Sequence, residues 1–115
     1  MDTDRLKLLI QHRLDETGLT KAPVFCDIDD TIIKWNLAHT SYKPNQQVID
    51  ALKLMYATGT IELVLWSGAG AQHCRDIAEE FGLTNMVSAY LTKPAVCIDD
   101  FKFERFTTLI HPDNI

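Results

Sequence analysis

The sequence predicts an α/β fold of the three-layer, Rossmann-like type, in which helices cover both faces of a mostly parallel sheet. Short apolar runs typical of buried strands alternate with amphipathic helical segments along the chain. Two of the apolar runs stop directly at aspartates. A length of 115 residues suits one domain with one hydrophobic core. We therefore expect a single domain over 1–115 whose strands are joined by right-handed crossovers.

The chain opens with an amphipathic helix over about Thr3 to Glu16, within an N-terminal segment of residues 1–20. Its apolar face comprises Leu6, Leu9, Ile10 and Leu14. Gly18 lies where a C-terminal cap ends such a helix. The remaining elements belong to a core predicted over residues 24–110.

Strands and helices alternate through this core. The apolar runs predict strands over 24–26, 61–66, 86–90 and 95–98, with an edge strand over 107–110. Asn45 can cap a second helix that stops at Gly59, and a third helix over about Ala71 to Phe81 is closed by Gly82. Residues 32–44 have room only for a small flap, so no cap domain is expected.

The charge distribution argues against some partners. The net charge of −5 is spread over the chain without a basic stripe. Neither a nucleic-acid interface nor binding to an anionic membrane surface is therefore indicated. No apolar run approaches the roughly 18 residues of a membrane span. The first residues are acidic, where a secretory signal is basic. We expect a cytoplasmic protein.

Cysteine and histidine spacings indicate no metal or disulfide framework. Cys26, Cys74 and Cys97 are an odd number without a C-x-x-C pair, so core packing of reduced thiols is the expectation. The four histidines are scattered and receive no role.

Carboxylates crowd the end of the first strand, in the stretch Asp27-Ile28-Asp29-Asp30-Thr31. Three carboxylates in four positions repel one another, and a divalent cation relieves that repulsion. Magnesium favours oxygen ligands and takes one or two carboxylates together with waters and a substrate phosphate. An acidic helix cap or an exposed acidic turn is the structural alternative.

A second acidic pair, Asp99-Asp100, also ends an apolar run, and parallel strands would bring both pairs to one edge of the sheet. Ser67 ends the strand between them, and Gly68-Ala69-Gly70 offers backbone N–H groups to an anion at a helix start. Lys93 adds a positive charge. Each signal is weak alone, but their order is specific.

This order of motifs resembles the haloacid dehalogenase superfamily of phosphatases, over about Val24 to Asp100. The resemblance implies that Asp27 attacks phosphorus and forms an aspartyl-phosphate. Asp29 would protonate the leaving oxygen and then activate the hydrolytic water. The presence of Asp29 favours phosphate esters over halogenated acids, because the dehalogenase branch lacks that aspartate.

The same resemblance implies a phosphate site and a magnesium site. Thr31, Ser67, Gly68 and Lys93 would bind the substrate phosphate. Asp27, Asp29, Asp99 and Asp100 would hold Mg²⁺, with Asp29 contributing its main-chain carbonyl. The short flap places the chain with the capless members, whose open sites often serve macromolecular substrates. We therefore expect a phosphorylated substrate, and a macromolecule is among the candidates. The charge pattern does not indicate nucleic-acid binding, but the phosphorylated end of a nucleic acid is still one of these candidates.

Three other functions stay open at this point. Residues 89–94 resemble the late lysine segment of response-regulator receivers, but no aspartate ends the strand 61–66, where a receiver needs its phosphoacceptor. A dinucleotide site is suggested by Gly68-Ala69-Gly70, yet His73 replaces the third glycine of that fingerprint. A catalytically silent binding module of the same fold is the third.

Overall fold

Three parallel strands form the centre of this computed structural model, which describes residues 3–115. The helices are α1 (Thr3–Thr17), α2 (Gln46–Ala57) and α3 (Ala71–Glu80), and the strands are β1 (Ala22–Cys26), β2 (Ile33–Trp35), β3 (Tyr42–Pro44), β4 (Ile61–Ser67) and β5 (Val87–Thr92). Short 3-10 turns lie at Thr84–Met86, Phe103–Arg105 and Pro112–Asn114. The sheet order is β1-β4-β5, and β2 and β3 form a separate antiparallel hairpin.

The strand register aligns the carboxyl ends of the three parallel strands. Cys26 pairs with Leu65, and Ser67 pairs with Thr92. A register irregularity lies between Leu63 and Val64 in β4. The loops that leave the three strands therefore emerge at the same edge of the sheet.

One face of the sheet belongs to the core. On β4 the side chains of Ile61, Leu63, Leu65 and Ser67 are buried, as are those of Ala22 and Cys26 on β1. Apart from Ser67, these side chains form one cluster with apolar side chains from all three helices. In α1 this apolar face includes Leu6, Ile10 and Leu14, as predicted.

The opposite face is less covered than predicted. Phe25 and Leu91 are 47% and 42% exposed, and Trp66 is half-buried. Phe103 stacks on the Trp66 ring at 6.4 Å between centroids. The prediction that helices cover both faces is therefore not met around these residues, where an aromatic side chain of the C-terminal segment lies instead.

The predicted glycine cap of α1 is present, but the predicted side-chain cap of α2 is not. Gly18 has φ of 69°, and its N–H donates to the Leu14 carbonyl at 2.8 Å, which closes α1. Asn45 precedes α2 as expected, although its side chain makes no capping hydrogen bond. None of the helices described over residues 3–115 has the length and apolar character needed to cross a membrane.

The residues after β5 do not form the predicted strands. Residues 95–98 and 107–110 have no regular secondary structure, and Val96 and Ile98 are largely exposed. The first run has only four residues between Pro94, which lacks a backbone donor, and Asp99. Asp99 turns the chain, because its Oδ1 accepts the N–H of Phe101 at 2.9 Å. These two strand predictions were wrong.

Candidate active site

The candidate site lies at the carboxyl edge of the sheet. Asp27 comes directly after the last residue of β1, Ser67 is the last residue of β4, and Lys93 comes directly after β5. Parallel pairing brings these three positions together, although Lys93 comes 66 positions after Asp27 in the sequence. The structure thereby assembles three of the predicted site residues.

A tight turn after β1 presents the first two aspartates. Ile28 is fully buried, and its carbonyl accepts N–H groups from Thr31, Ile32 and Ile33 at 3.0–3.2 Å. The residues on either side of Ile28, Asp27 and Asp29, keep partly exposed side chains. A buried isoleucine between two aspartates thus anchors the turn while the carboxylates face outward.

Asp27 has a cationic partner and a hydroxyl partner. Its Oδ1 lies 3.1 Å from the Lys93 Nζ, and its Oδ2 accepts the Thr31 hydroxyl at 3.0 Å. The Asp27 and Lys93 side chains are 32% and 41% exposed, so the pair is accessible to a small anion. The Lys93 ammonium also lies 5.8 Å from the centre of the Trp66 ring.

Asp29 is held by two nitrogen atoms at a single oxygen. The Trp35 indole Nε1 donates to Asp29 Oδ1 at 2.9 Å, and the His73 Nε2 lies 3.0 Å from the same atom. Partial burial raises the pKa of Asp29, but these hydrogen bonds and the nearby histidines outweigh it, so the pKa is lowered overall. The carboxylate form is therefore favoured.

The third acid of the motif, Asp30, belongs to the turn. It has φ of 57°, its Oδ1 accepts the Trp35 backbone N–H at 3.2 Å, and its carbonyl accepts the Lys34 ammonium at 3.3 Å. Asp30 thus supports the start of the hairpin.

Backbone N–H groups in the loop after β4 make hydrogen bonds within the protein. Ser67 is buried, and its Oγ accepts the Ala69 N–H at 3.0 Å. The Gly70 N–H donates to the Ser67 carbonyl, and the Ala71 N–H donates to the Thr92 hydroxyl at 3.1 Å. The prediction of free N–H groups is therefore wrong at residues 69 and 70, because the loop satisfies them itself. Gly68 is exposed and stays a predicted phosphate contact.

The three cysteines divide into two classes. Cys26 and Cys74 are buried as expected, but Cys97 is exposed, which corrects its predicted core position. Burial and the adjacent Asp27 raise the pKa of the Cys26 thiol to about 12. Cys26 therefore stays a protonated thiol beside the site, without nucleophilic character.

The second acidic pair does not join the first. Asp99 and Asp100 are exposed and lie on the irregular segment after Lys93, because the strand expected to deliver them is not formed. Within residues 3–115 no group of three or more His, Cys, Asp or Glu side chains is placed to hold a metal ion. The predicted magnesium ligands are thus only partly brought together.

Three residues near the site receive no role from the sequence pattern. The sequence leaves His73 unassigned, favours packing or solvent exposure over substrate contact for Trp35 in the flap, and includes Thr92 only in the receiver-like segment 89–94. His73 could have been identified from its position in the first turn of the helix after β4, because side chains in that turn can lie near the carboxyl ends of the strands. Thr92 pairs with Ser67 in the sheet, and its hydroxyl accepts a hydrogen bond from the N–H of Ala71, the first residue of α3.

The hairpin is attached to α3 on one side of the site. The Tyr42 hydroxyl donates to Glu80 at 2.6 Å, and the Tyr42 ring contacts Trp35 and Phe81. The hairpin confirms the small flap predicted over residues 32–44, and its attachment fixes the indole that reaches Asp29.

The arrangement combines an accessible carboxylate, a lysine and a second, separately held carboxylate. Such a set can offer a nucleophilic oxygen, a positive charge for an anion and a proton acceptor. Comparison of the chain with models of known families, with curated proteins and with solved structures finds no match.

Proposed function

We propose that the protein hydrolyses phosphate monoesters, with Asp27 as the nucleophile. The observation that carries the proposal is the contact of Asp27 with Lys93 and Thr31 at the carboxyl edge of the sheet. A carboxylate beside an ammonium and a hydroxyl has what an incoming phosphoryl group needs: an attacking oxygen and groups that bind its oxygens. The resemblance to haloacid dehalogenase phosphatases, drawn from the order of these residues, supports the same assignment.

In the first step an Asp27 oxygen attacks phosphorus while the bond from phosphorus to the leaving oxygen breaks. Lys93 would shift from Asp27 toward the phosphoryl oxygens and offset their charge. Thr31 and Ser67 are proposed as hydroxyl contacts, and Gly68 as a backbone contact, to the same group. Asp29 would give the leaving oxygen its proton.

In the second step water attacks the phosphorus of the aspartyl-phosphate. The bond to Asp27 breaks, inorganic phosphate leaves, and the water proton passes to Asp29. Asp29 is then protonated for the next turnover. The lowered pKa of Asp29 suits the accepting role in this step, since a base must be ionised before it acts.

Magnesium remains part of the proposal as a cofactor that would neutralise phosphate charge when bound. Asp27 and Asp29 supply two carboxylates, which is within the usual number for this ion. Asp99 and Asp100, its other predicted ligands, are not brought to them. The donor set does not fit as predicted, and we assign no step to the ion.

The experiment is hydrolysis of an aryl phosphate by wild type, Asp27→Asn and Asp50→Asn, with magnesium and then with a chelator. Asp50 is an exposed carboxylate on α2 whose partner is Gln46 on the same helix, so it serves as the matched control. We expect the Asp27 variant to lose at least about a hundredfold in rate, because the nucleophile is gone, while Asp50→Asn keeps wild-type activity. Chelation tests the cofactor separately: loss of the wild-type rate would support magnesium, and a rate that persists would remove magnesium from the proposal.

Activity undiminished in Asp27→Asn would overturn the nucleophile assignment. A wild type without turnover that retains phosphate on Asp27 after treatment with acetyl phosphate would instead indicate a receiver-like signalling domain. A wild type that neither turns over nor retains phosphate would indicate a binding module.

A further inference from the structure

Asp29 is held through one of its oxygens only, whereas Asp27 has a partner at each of its two oxygens. Trp35 Nε1 lies 2.9 Å from Oδ1 and His73 Nε2 lies 3.0 Å from it, while no described side chain donates a hydrogen bond to Oδ2. The two oxygens of this carboxylate are therefore inequivalent. Oδ1 accepts the hydrogen bonds from Trp35 and His73, and Oδ2 is available to react.

His73 reaches this position from the first turn of α3. It is the third residue of the helix, and its side chain is 24% exposed. Because a carboxylate oxygen only accepts hydrogen bonds, His73 Nε2 must carry the shared proton. The residue that breaks the dinucleotide fingerprint thus supplies a hydrogen-bond donor to the candidate site.

Trp35 reaches Asp29 from the other side, at the end of β2. Its ring meets the Tyr42 ring edge-on at 4.8 Å and stacks on the His39 ring at 5.6 Å between centroids. Tyr42 is bound to Glu80 of α3. The two nitrogens that hold Asp29 therefore belong to elements that are attached to each other, which favours a fixed carboxylate geometry.

We infer that His73 and Trp35 are positioning residues that hold Asp29 by Oδ1, so that Oδ2 accepts the proton of the water that hydrolyses the aspartyl-phosphate. This inference rests on the proposed function. In the step, the water oxygen bonds to phosphorus, the phosphorus–Asp27 bond breaks, one water proton moves to Asp29 Oδ2, and hydrogen phosphate is released. Neither positioning residue touches the reacting atoms.

The role has a kinetic signature when the substrate has a good leaving group. An aryl phosphate with a strongly acidic phenol needs little protonation of its leaving oxygen, so formation of the aspartyl-phosphate proceeds without Asp29 acting as an acid. Hydrolysis of the aspartyl-phosphate still needs Asp29 as a base. Weakened positioning should therefore slow the second step selectively, and the aspartyl-phosphate should accumulate.

The experiment is rapid-mixing kinetics with dinitrophenyl phosphate on wild type, His73→Leu, His73→Gln and Trp35→Phe. We expect His73→Leu and Trp35→Phe to release a burst of phenol close to the enzyme concentration, followed by a steady rate lower by about tenfold, a part of what a general base contributes. Glutamine retains an amide N–H donor, so His73→Gln should recover most of the steady rate. His12→Leu, on an exposed part of α1, is the control for removing a histidine.

A burst and a steady rate that fall in the same proportion would overturn the inference, because that pattern reports fewer folded molecules. Unchanged steady rates in His73→Leu would overturn it as well. If wild type shows no Asp27-dependent turnover, the proposed function fails, and the positioning role fails with it.

A second measurement tests the geometry independently of turnover. The Trp35 indole N–H gives its own resonance in a ¹H–¹⁵N spectrum, and Trp66→Phe removes the other indole and so assigns it. We expect Asp29→Ala to move the Trp35 resonance and to speed its hydrogen exchange. An indole resonance that does not respond, in a protein with Asp27-dependent turnover, would overturn the positioning role alone.

Discussion

Two stretches of this chain look alike in sequence and differ in structure. Cys26-Asp27-Ile28-Asp29 and Cys97-Ile98-Asp99-Asp100 each combine a cysteine and an isoleucine with two aspartates at the end of an apolar run. In the first, Ile28 is fully buried and its carbonyl accepts three N–H groups. In the second, Ile98 is 96% exposed. The first stretch is therefore a turn anchored by a buried isoleucine, and the second stretch lacks such an anchor.

The largest difference should appear in thiol labelling, with Cys97 representing the exposed stretch and Cys26 the buried one. A thiol reagent should modify Cys97 in the native protein at the rate of a free cysteine. Cys26 and Cys74 are reached only through opening of the fold, so their labelling should be slower by about a thousandfold or more. Counting modified thiols by mass should give one in native buffer and three in denaturant; three fast native thiols would contradict the comparison.

The isoleucines give the next largest difference. Ile28→Ala removes a fully buried side chain and should lower the free energy of unfolding by about 2–5 kcal/mol. Ile98→Ala should change it by about 0.5 kcal/mol or less, because its side chain is exposed. Urea titration of both variants measures the two losses in the free energy of unfolding. Equal losses would mean that Ile98 is buried in solution.

A smaller effect should appear at alkaline pH. The pKa of Cys26 rises from 9.0 to about 12 on folding, so the unfolded chain releases its proton first and stability falls between pH 9 and pH 12. Below pH 9 the contribution is fully present. At pH 10 the loss from this thiol is roughly 1 kcal/mol. Urea titration of wild type and Cys26→Ala at pH 8 and pH 10 should show a steeper decline in wild type, and parallel declines would contradict the assignment.

An effect of similar size to that of the Cys26 thiol should appear where the C-terminal segment contacts the sheet. Phe103 stacks on Trp66 and contacts Phe106, so Phe103→Ala should lower the free energy of unfolding by about 0.5–1.5 kcal/mol. Leu109 is 93% exposed, and Leu109→Ala should leave stability unchanged. Thermal unfolding of both variants compares them. A null result for Phe103 would show that the stack contributes nothing.

The sequence was most informative where structure is local. Helical periodicity identified α1, α2 and α3, and apolar runs identified β1, β4 and β5. The Asp27–Lys93 contact was also expected, since parallel strands share an edge. The predictions that failed depended on distant contacts. Residues 95–98 have the composition of a strand, and composition alone could not show that they lack a paired neighbour.

The candidate site was predictable in the same uneven way. Asp27, Asp29 and Lys93 could be identified as a group, because carboxylates and a lysine at strand ends form a chemically meaningful set. His73 could not, because a single histidine on a helix has no partner in the sequence and acquires one only when α3 packs beside the first turn. The free N–H groups expected at residues 69 and 70 donate instead to the hydroxyl and the carbonyl of Ser67, two acceptors within the same turn.

The carbonyl of Ser67 has a consequence for how substitutions combine. It accepts the N–H groups of both Gly70 and Lys93, at 3.2 and 2.9 Å. Gly70 has φ of 112°, a backbone conformation that L side chains rarely adopt, and a Cβ there would lie in van der Waals contact with the Thr92 hydroxyl, at 3.8 Å. A replacement at residue 70 would therefore disturb the backbone that carries Lys93, and its effect would depend on the residue at 92. Substitutions in these two sequence-distant segments should be epistatic, and their tolerated residues should be chosen jointly.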